Sequence, residues 1–273
     1  MSDSKGVVII GGGIAGTSAA LTCVNRGEKV TVIANPIESS SLYKAEKLTN
    51  YPGLAGLSGR ELGEILRRQL ENSGAKLVQG RALNVMDLGG SFGVAVGNDF
   101  LEASAVILAL GITRERLYPG EAEFLGRGVS YCATCDGMLY KGKTVALIGN
   151  NREAFDDAEF LEKIGCRVLH FRENLRYEIR GGAKADMLVA GDGEYPVDGV
   201  FIIKDSISVS RLLDGLKYEN GAIVTERDMS TSVRGVFACG DCAGKPYQLA
   251  KAAGEGNIAA LSACEYIKKN LLK

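Results

Sequence analysis

The sequence predicts an α/β fold of the doubly wound type, because two similar βαβ copies occur along the chain. The first copy starts with the apolar run of residues 6–10 (GVVII), which has the length and composition of a buried parallel strand. A glycine-rich turn and a helical stretch to about Arg26 follow, and residues 29–33 (KVTVI) form the next predicted strand. This order of elements is that of a βαβ unit.

The second copy repeats the pattern further along the chain. Residues 143–149 (KTVALIG) are predicted as a strand, residues 152–164 as a helix and residues 167–171 (RVLHF) as a strand. The two copies align without gaps when Gly11 is placed on Gly149. We interpret the match as an internal duplication.

Other segments fit an α/β protein with a parallel sheet. Buried strands are predicted at residues 105–110 (AVILAL) and 235–238 (GVFA), each followed closely by a glycine. An amphipathic helix is predicted at residues 58–73 and a closing helix at residues 249–270. The stretch 181–194 is rich in glycine and charge and is predicted as hairpin and loop.

Composition excludes several functions. The chain has 273 residues, enough for two modest domains, and a net charge of −1, so no overall field favours nucleic acid or an anionic membrane. No apolar run approaches the roughly 18 residues that a membrane-spanning helix needs. The short polar N-terminus leads straight into a strand, unlike a secretory signal, so we expect a cytoplasmic protein.

Gly11, Gly13 and Gly16 form a GxGxxG turn between the first strand and the first helix. In such a turn the first glycine permits the sharp bend, the second lets a pyrophosphate approach the backbone, and the third lets helix and strand pack closely. The helix N-terminus then favours the phosphate charge. An acid about 20 residues further on usually binds the ribose, and neither candidate, Asn35 or Glu38, lies cleanly at the predicted strand end. The alternative is a glycine-rich turn that binds nothing.

A second motif is CATCDG, which contains Cys132, Cys135 and Asp136. Two cysteines at this spacing can close a disulfide and exchange it with another protein, and the aspartate could move protons for the departing thiolate. The chain has seven cysteines, and an odd number argues against a full disulfide framework. The alternative is half of a zinc site, whose other half would have to be Cys239 and Cys242; we expect no metal.

Motifs of one family are found together over nearly the whole chain. They are GGGIAG at residues 11–16, NYPG at 50–53, ALG at 109–111, CATCDG at 132–137, VDGVF at 197–201 and GVFACGD at 235–241. This set resembles the low-molecular-weight thioredoxin reductases. The resemblance implies an α/β fold in which a split FAD-binding Rossmann-like domain, residues 1–114 and 204–273, holds a smaller inserted redox domain, residues 115–203.

The resemblance also implies the roles of individual residues. Cys135 would lie nearest the flavin, Cys132 would attack the protein substrate thioredoxin, and Asp136 would be the acid–base group. The protein would be a homodimer. The residues that would hold FAD are Gly11, Gly13, Ile14, Ala15, Gly16, Asn50, Gly111, Gly240, Asp241, Gln248, Leu249 and Ala250.

The second βαβ copy departs from the family at its loop. In the family the inserted domain binds NADPH through a glycine loop and a downstream arginine pair. Here Asn151 replaces the middle glycine, Glu153 would oppose a phosphate at the helix start, and Arg172 is what remains of the arginine pair. Only 25 residues lie between Phe171 and Val197, too few for a normal doubly wound domain. We therefore expect a truncated domain that does not bind NADPH.

A disulfide-bearing flavoprotein without a hydride-donor site resembles the ferredoxin-linked, pyridine-nucleotide-independent thioredoxin reductases. A flavin can take electrons singly and deliver a pair, so it can connect an iron–sulfur carrier to a dithiol. Basic residues near the altered loop could dock an acidic ferredoxin, or could be an ordinary solvated face. They are Lys163, Arg167, Arg172, Arg176, Arg180 and Lys184. We predict a ferredoxin-dependent thioredoxin reductase.

Three alternatives stay open. The first is an NADPH-linked thioredoxin reductase. The second uses another flavin, bound in the emptied nucleotide site, as an electron relay. The third is a redox sensor or flavin-binding regulator without turnover, against which the intact Cys132, Cys135 and Asp136 argue.

The remaining cysteines and the single histidine are interpreted as structural. Cys239 and Cys242 bracket the Gly240 turn. We interpret them as small residues that allow close contact with FAD, and not as a second redox pair. The others are Cys23 and Cys264 in the core, Cys166 buried at a strand start, and His170 as a remnant of the nucleotide strand.

Overall fold

The computed structural model describes residues 5–40, 42–43, 45, 47–54, 56–111, 118–131, 133–172, 175–203 and 209–271. The chain forms two compact units. The split unit comprises Met1–Arg114 and Ser206–Lys273, and the inserted unit comprises Glu115–Asp205. Each unit is built around its own parallel sheet.

Strands and helices make up both units. In chain order, the first segment of the split unit contains β1 (Val7–Ile10), α1 (Ile14–Asn25), β2 (Val30–Ala34), a 3₁₀ turn (Ile37–Ser39), α2 (Gly59–Asn72), β3 (Lys76–Gln79), β4 (Ala82–Asp87), β5 (Phe92–Val96), β6 (Asp99–Ala103) and β7 (Ala105–Leu108). The inserted unit contains α3 (Glu121–Phe124), β8 (Val129–Ser130), α4 (Ala133–Asp136), a 3₁₀ turn (Gly137–Tyr140), β9 (Thr144–Ile148), α5 (Arg152–Lys163), β10 (Arg167–Phe171), β11 (Tyr177–Gly181), β12 (Ala185–Ala190), β13 (Gly193–Pro196) and β14 (Gly199–Ile202). The second segment of the split unit contains α6 (Val209–Leu212), β15 (Tyr218–Glu219), β16 (Ala222–Ile223), β17 (Val236–Ala238), a 3₁₀ turn (Gly240–Ala243) and α7 (Leu249–Leu271).

The split unit has three layers. Its central sheet is parallel throughout, in the order β17-β7-β1-β2-β3. Val7 and Ile9 point from β1 into a core shared with α1, α2 and α7, while Val8 and Ile10 point into a core shared with the antiparallel sheet β4-β5-β6. Because both faces of β1 are covered, the strand is a continuous apolar run rather than an alternating one.

Two helices of this unit, α2 and α7, begin within one residue of the predicted positions. The hydroxyl of Ser58 accepts a hydrogen bond from the backbone N–H of Glu61 at 3.2 Å, and the Glu61 carboxylate accepts one from the Ser58 N–H at 2.7 Å. This capping box fixes the start of α2. Two predicted strand ends are corrected by the structure: β7 ends at Leu108 rather than residue 110, and β2 extends to Ala34, which places Asn35 directly after it.

The inserted unit contains a second parallel sheet, in the order β10-β9-β14-β8, with α5 as the crossover between β9 and β10. The stretch 181–194, predicted as hairpin and loop, contains β12 and the turns that pair it antiparallel with β11 and β13, so the hairpin prediction holds and strand takes the place of most of the loop. Leu188 and Ala190 alternate toward its buried side, and a register shift opposite Arg180 and Gly181 brings Ala185 into the same apolar cluster. This meander connects β10 to β14 in place of a second helical crossover.

None of the described helices has both the length and the apolar character needed to cross a membrane.

Candidate functional site: the FAD edge and the redox motif

The candidate cofactor site lies at the carboxyl edge of the split unit's central sheet. β1, β7 and β17 are adjacent and parallel, so the segments that follow them meet at this edge. Backbone hydrogen bonds continue just past the strands: Ala109 N–H donates to Ile10 at 2.8 Å, and Cys239 N–H donates to Leu108 at 2.9 Å. The chain turns to opposite sides of β1 in forming β2 and β7, and this switch point is where open parallel sheets bind ligands.

The three positions of the GxGxxG turn are occupied by glycine for different structural reasons. Gly11 has φ +118°, and a Cβ there would lie 2.1 Å from the carbonyl oxygen of Ala109. A Cβ on Gly16 would lie 1.8 Å from the carbonyl oxygen of Gly11. A Cβ on Gly13 would meet no heavy atom within 4 Å. The fold therefore requires glycine at the first and third positions, whereas the second leaves open space in front of the helix, as a pyrophosphate would need.

The start of α1 is open to an anion. Gly13 is its N-cap residue, and no side-chain cap hydrogen bond is formed there by the described part of the chain. The first N–H groups of an α-helix have no partner inside the helix and carry the positive end of its dipole. A phosphate at this position would satisfy them.

The Gly240 turn packs against the first turn of α1. Gly240 is buried with φ +77°, and a Cβ there would lie 2.9 Å from the Cβ of Ala15. Asp241 follows, and its burial raises the pKa of its carboxyl above the ordinary value, with Lys251 acting in the opposite direction. A carboxyl with a raised pKa at the edge of a sheet that binds a cofactor is a candidate ligand contact.

Lys251 and Glu255 hold this turn, and the sequence analysis missed both. Lys251 Nζ donates to the carbonyl oxygens of Gly240 at 2.9 Å and Gly244 at 2.5 Å. It also forms an ion pair with Glu255 at 3.0 Å, and Glu255 accepts a hydrogen bond from the Gly240 N–H at 2.9 Å. Each of the two side chains is 17% exposed. One sequence signal pointed here: a lysine in the first turn of a helix opposes the helix dipole, so it needs a local reason.

The other predicted FAD-binding residues lie in the same unit. Asn50 Nδ2 donates to Gln248 Oε1 at 2.7 Å, which ties residues 47–54 to the start of α7. Leu249 and Ala250 form the first turn of that helix, and Gly111, with φ +72°, follows β7. The glycine turn with open space at Gly13, together with the polar side chains of Asn50, Asp241 and Gln248, fits a dinucleotide-type cofactor.

The CATCDG motif lies in the inserted unit. Cys132 lies outside the described residues, and Cys135 is described as backbone only, within α4. Asp136 accepts a hydrogen bond from the hydroxyl of Ser130 at 2.6 Å, which fixes its carboxylate. The motif's glycine, Gly137, is buried, and a Cβ on it would lie 3.0 Å from Leu161 of α5. The glycine therefore lets the motif pack tightly on that helix.

A buried carboxylate holds the residue before the motif. Glu121 is 1% exposed and accepts hydrogen bonds from the hydroxyl of Tyr131 and from the backbone N–H of Tyr118, both at 2.8 Å. Because Tyr131 directly precedes Cys132, this contact anchors the chain where the redox motif begins.

In the second βαβ copy, the loop is filled by its own side chains. Gly149 still serves the fold, since a Cβ there would lie 2.6 Å from the Cβ of Ala154. Asn151 is the N-cap of α5, and its Oδ1 accepts a hydrogen bond from the Ala154 N–H at 2.8 Å. His170 Nε2 lies 2.9 Å from the Gly149 carbonyl oxygen, and its ring packs edge-on against Phe155. An asparagine side chain therefore caps α5, whereas α1 begins at a glycine.

The predicted basic residues are not equally free to bind a partner. Arg180 forms ion pairs with Glu178 at 2.8 Å and Glu194 at 3.0 Å, and Lys163 pairs with Glu159 at 2.7 Å. Four other members of the set are exposed and form no ion pair with the residues that the structure describes. They are Arg167, Arg172, Arg176 and Lys184.

Cys239 and Cys242 are buried thiols, 0% and 1% exposed. The Cys242 Sγ donates to the carbonyl oxygens of Leu108 at 3.4 Å and Cys239 at 3.3 Å. Burial raises the pKa of Cys242 to about 11 and also raises that of Cys239, so both are poor nucleophiles at neutral pH. Among the described residues, no group of three or more His, Cys, Asp or Glu side chains could hold a metal ion.

An α/β protein with a glycine-turn cofactor edge and a CxxC motif in an inserted unit belongs to the class of flavoprotein disulfide oxidoreductases. Residues 5–187 and 169–256 match the model of the pyridine nucleotide-disulphide oxidoreductase family. The chain belongs to this family, in its thioredoxin reductase branch, and its cofactor is FAD.

Its relatives match over the whole length. The thioredoxin reductase of Treponema pallidum is 32% identical and that of Bacillus subtilis 31%, with 98% of this chain covered in both cases and 98% and 97% of those proteins. The solved structure of a ferredoxin-flavin thioredoxin reductase from Clostridium acetobutylicum is 38% identical, covers 100% of both chains and superposes with a TM-score of 0.92.

Proposed function

We propose that this thioredoxin reductase takes its electrons from reduced ferredoxin rather than from NADPH. The observation that carries the proposal is the contrast between the two βαβ copies. At the first, Gly13 leaves the start of α1 open, and at the second, the Asn151 side chain forms the cap of α5 itself. A pyrophosphate would need that capping position, so its binding would have to break the cap.

Charge at the second loop supports the same conclusion. Glu153 lies in the first turn of α5, where its negative charge interacts favourably with the helix dipole but would repel a phosphate. Arg152, the neighbouring cation, is paired with Asp156 one turn along the helix at 3.8 Å. The similarity to the Clostridium acetobutylicum enzyme, described as a ferredoxin-flavin thioredoxin reductase, favours the same donor class.

We assign FAD binding to the split unit and the redox dithiol to the inserted unit. The residues that would hold FAD are Gly11, Gly13, Ile14, Ala15, Gly16, Asn50, Gly111, Gly240, Asp241, Gln248, Leu249 and Ala250, with Lys251 and Glu255 positioning the Gly240 turn. When bound, FAD supplies the means to accept electrons singly and deliver them in pairs.

The thiol chemistry would run through Cys132 and Cys135. Two electrons and two protons convert their disulfide to a dithiol. The Cys132 thiolate then attacks one sulfur of the thioredoxin disulfide, which forms a mixed disulfide and releases the other thioredoxin sulfur as a thiolate. Cys135 attacks Cys132 and regenerates the internal disulfide, releasing the second thioredoxin sulfur. Asp136, held by Ser130, would move the protons for these thiolates.

The docking surface for ferredoxin would be the part of the basic set that is not already paired. Arg172 and Arg176 are exposed members of it. Ferredoxin is the acidic partner that such a surface would steer, so the rate of transfer should fall as salt is raised. We further propose, from the family resemblance, that the enzyme is a homodimer, which sedimentation would test.

The test is anaerobic reduction of the yellow holoprotein, comparing NADPH, NADH and chemically reduced ferredoxin. Ferredoxin should bleach the flavin and support reduction of thioredoxin, while both nucleotides leave the flavin oxidised. Stoichiometric bleaching by NADPH would overturn the donor assignment but leave the thioredoxin reductase activity intact. Released flavin near two per chain would instead favour a second flavin in the altered loop.

Charge reversal tests the docking surface separately. Arg172→Glu and Arg176→Glu should slow transfer from ferredoxin and flatten its salt dependence without changing FAD content. Arg68→Glu, an exposed arginine on α2 of the split unit, is the matched control and should behave as wild type. Equal behaviour of all three variants would exclude the proposed docking face.

A further inference from the structure

Two cysteines far apart in sequence meet between the helices α1 and α7. The sulfur atoms of Cys23 and Cys264 lie 3.9 Å apart, and the residues are separated by 241 positions along the chain. Both are free thiols. A disulfide has a sulfur–sulfur distance of about 2.05 Å. The sulfurs therefore need to approach by just under 2 Å to form one.

The helices that carry the two thiols are held together closely. The Ser18 hydroxyl donates to the Ala253 carbonyl at 2.7 Å, and Asn257 Nδ2 donates to the Thr22 hydroxyl at 2.9 Å. A Cβ on Gly256 would lie 2.1 Å from the carbonyl oxygen of Ala15, so the backbones approach directly. Because the helix pair is fixed by these contacts, the two sulfurs stay near each other in the folded protein.

The two thiols have different environments. Cys23 is fully buried, whereas Cys264 is half-buried and can be reached from solvent. The hydrogen bond between them lowers the pKa of Cys264 and raises that of Cys23, while burial raises both. The charged groups next to the pair are Arg26, which lowers the pKa of Cys264, and Glu28, which raises it.

This arrangement is that of an attacking thiol with a resolving thiol behind it. The accessible member of such a pair reacts first, because the thiolate is the nucleophile and needs contact with the oxidant. The buried member then closes a disulfide before further oxidation occurs. Neither thiol belongs to the CATCDG motif, and the pair lies in the split unit, away from that motif in the sequence.

We propose that Cys23 and Cys264 are a second reactive dithiol, which a hydroperoxide oxidises to a reversible disulfide joining α1 to α7. The bridge would connect the helix that follows the GxGxxG turn to the helix that carries Lys251 and Glu255. It would therefore fasten together the two elements that shape the FAD edge. The inference does not depend on which donor reduces the enzyme.

The reaction balances with the peroxide as the oxidant. The Cys264 sulfur attacks one peroxide oxygen, the O–O bond breaks, and an alcohol or water leaves with a proton, which gives a sulfenic acid at Cys264. The Cys23 sulfur then attacks the Cys264 sulfur, the S–O bond breaks, and water leaves with the Cys23 proton. The two thiols lose two electrons in total, and the peroxide gains them.

The experiment uses the full-length holoprotein with Cys132 and Cys135 both replaced by serine, which leaves five of the seven cysteines. After brief exposure to hydrogen peroxide, thiol titration in denaturant should fall from five to three per chain. Mass spectrometry should find a single cross-linked peptide pair containing Cys23 and Cys264, and dithiothreitol should restore both thiols.

Single variants in the same background separate the two roles. Cys23→Ser should leave a sulfenic acid at Cys264 that dimedone traps, with no cross-link, and Cys264→Ser should lose no thiol. Cys166 is the control, since it is buried, has its pKa raised by burial, and its thiol donates to the Tyr140 carbonyl at 3.1 Å. It should stay reduced.

Three outcomes would overturn the proposal. The first is that Cys264 stays reduced or oxidises to the sulfinic acid while Cys23 keeps its thiol. The second is that the cross-link forms between Cys239 and Cys242 instead. The third is that the Cys23–Cys264 cross-link forms only in denatured protein, which would show that the folded arrangement does not produce it.

Discussion

Lys251→Met removes the charge that ties the Gly240 turn to α7 while keeping most of the apolar stem. In the native protein this ammonium group contacts the carbonyl oxygens of Gly240 and Gly244 and the carboxylate of Glu255, all within 3.0 Å. The methionine replaces none of these contacts. Glu255 keeps its hydrogen bond from the Gly240 N–H but loses its counter-charge.

The Lys251→Met substitution is expected to lower the free energy of unfolding by about 2–3 kcal/mol. Breaking a fully buried ion pair costs roughly 3–5 kcal/mol, and a hydrogen bond to a charged group contributes roughly 1.5–3 kcal/mol. The value for Lys251 is reduced from that range because both side chains are 17% exposed and water can solvate the remaining carboxylate. If the turn must be ordered to hold FAD, the same free energy raises the Kd for FAD by roughly 30- to 150-fold.

The first assay measures the release of FAD from diluted holoprotein, monitored by the increase in flavin fluorescence. The second measures the urea unfolding of the FAD-free protein. Lys269→Met is the matched control, because Lys269 and Glu265 form an ion pair of the same spacing on the same helix but are 69% and 63% exposed. It should release FAD as wild type does. Glu255→Gln keeps an acceptor for Gly240 and should lie between the two. Equal FAD release by the Lys251 and Lys269 variants would refute the reasoning.

Three other expected outcomes rest on described contacts. Gly13→Val should give a stable protein that binds no FAD, since the added atoms point into open space, whereas Gly16→Val should disrupt the fold itself; FAD content and thermal unfolding separate these outcomes. Asp136→Asn should slow thioredoxin reduction strongly and Ser130→Ala several-fold, with FAD content unchanged; equal turnover in the serine variant would remove the 2.6 Å hydrogen bond from the mechanism. The Cys242 thiol has a pKa raised from 9.0 to about 11, so its contribution to stability is complete below pH 9 and is lost as pH rises toward 11, at up to about 1.4 kcal/mol per pH unit. Urea unfolding from pH 8 to pH 10 should show a smaller decline for Cys242→Ala than for wild type.

Elements with a continuous apolar run, a helical hydrophobic period or a cap could be predicted from the sequence, whereas some half-exposed strands could not. β1 and β9 are runs of buried apolar residues, and α2 begins at a capping box. β6 (Asp99–Ala103), by contrast, exposes Phe100 and carries acidic residues, so its pattern gives little sign of a strand. Its position depends on pairing with β5, which a short local pattern does not reveal.

The same division applies to the candidate site. Glycines that the backbone conformation and packing require, such as Gly11 and Gly240, belong to motifs that can be recognised in the sequence. Lys251 does not, because its partners are main-chain carbonyls that any sequence supplies. The contact between Cys23 and Cys264 has no local signal at all, since it arises from the packing of two helices at opposite ends of the chain. The sequence predicts burial for both cysteines but not that their sulfurs meet.

The two βαβ copies separate what the fold needs from what a ligand needs. Gly11 and Gly149 occupy the same position, and in each case an added Cβ would collide with the unit's own atoms. Gly13 and Asn151 also correspond, yet a Cβ at the first would collide with nothing. The second copy has therefore kept Gly149, which its packing requires, and has Asn151 where only a bound pyrophosphate would require glycine. Ala154 stands in place of Gly16, so the third glycine is required by the packing of the first copy alone.

The replacement is favourable for the fold. An asparagine N-cap stabilises a helix by about 1 kcal/mol relative to alanine, and Asn151 makes the required bond to the Ala154 N–H. An open loop at α5 would therefore persist only where a nucleotide has to bind there. With electrons arriving from a protein donor at the surface, as we propose, nothing opposes the cap, and the inserted unit retains the nucleotide-binding framework without the phosphate position.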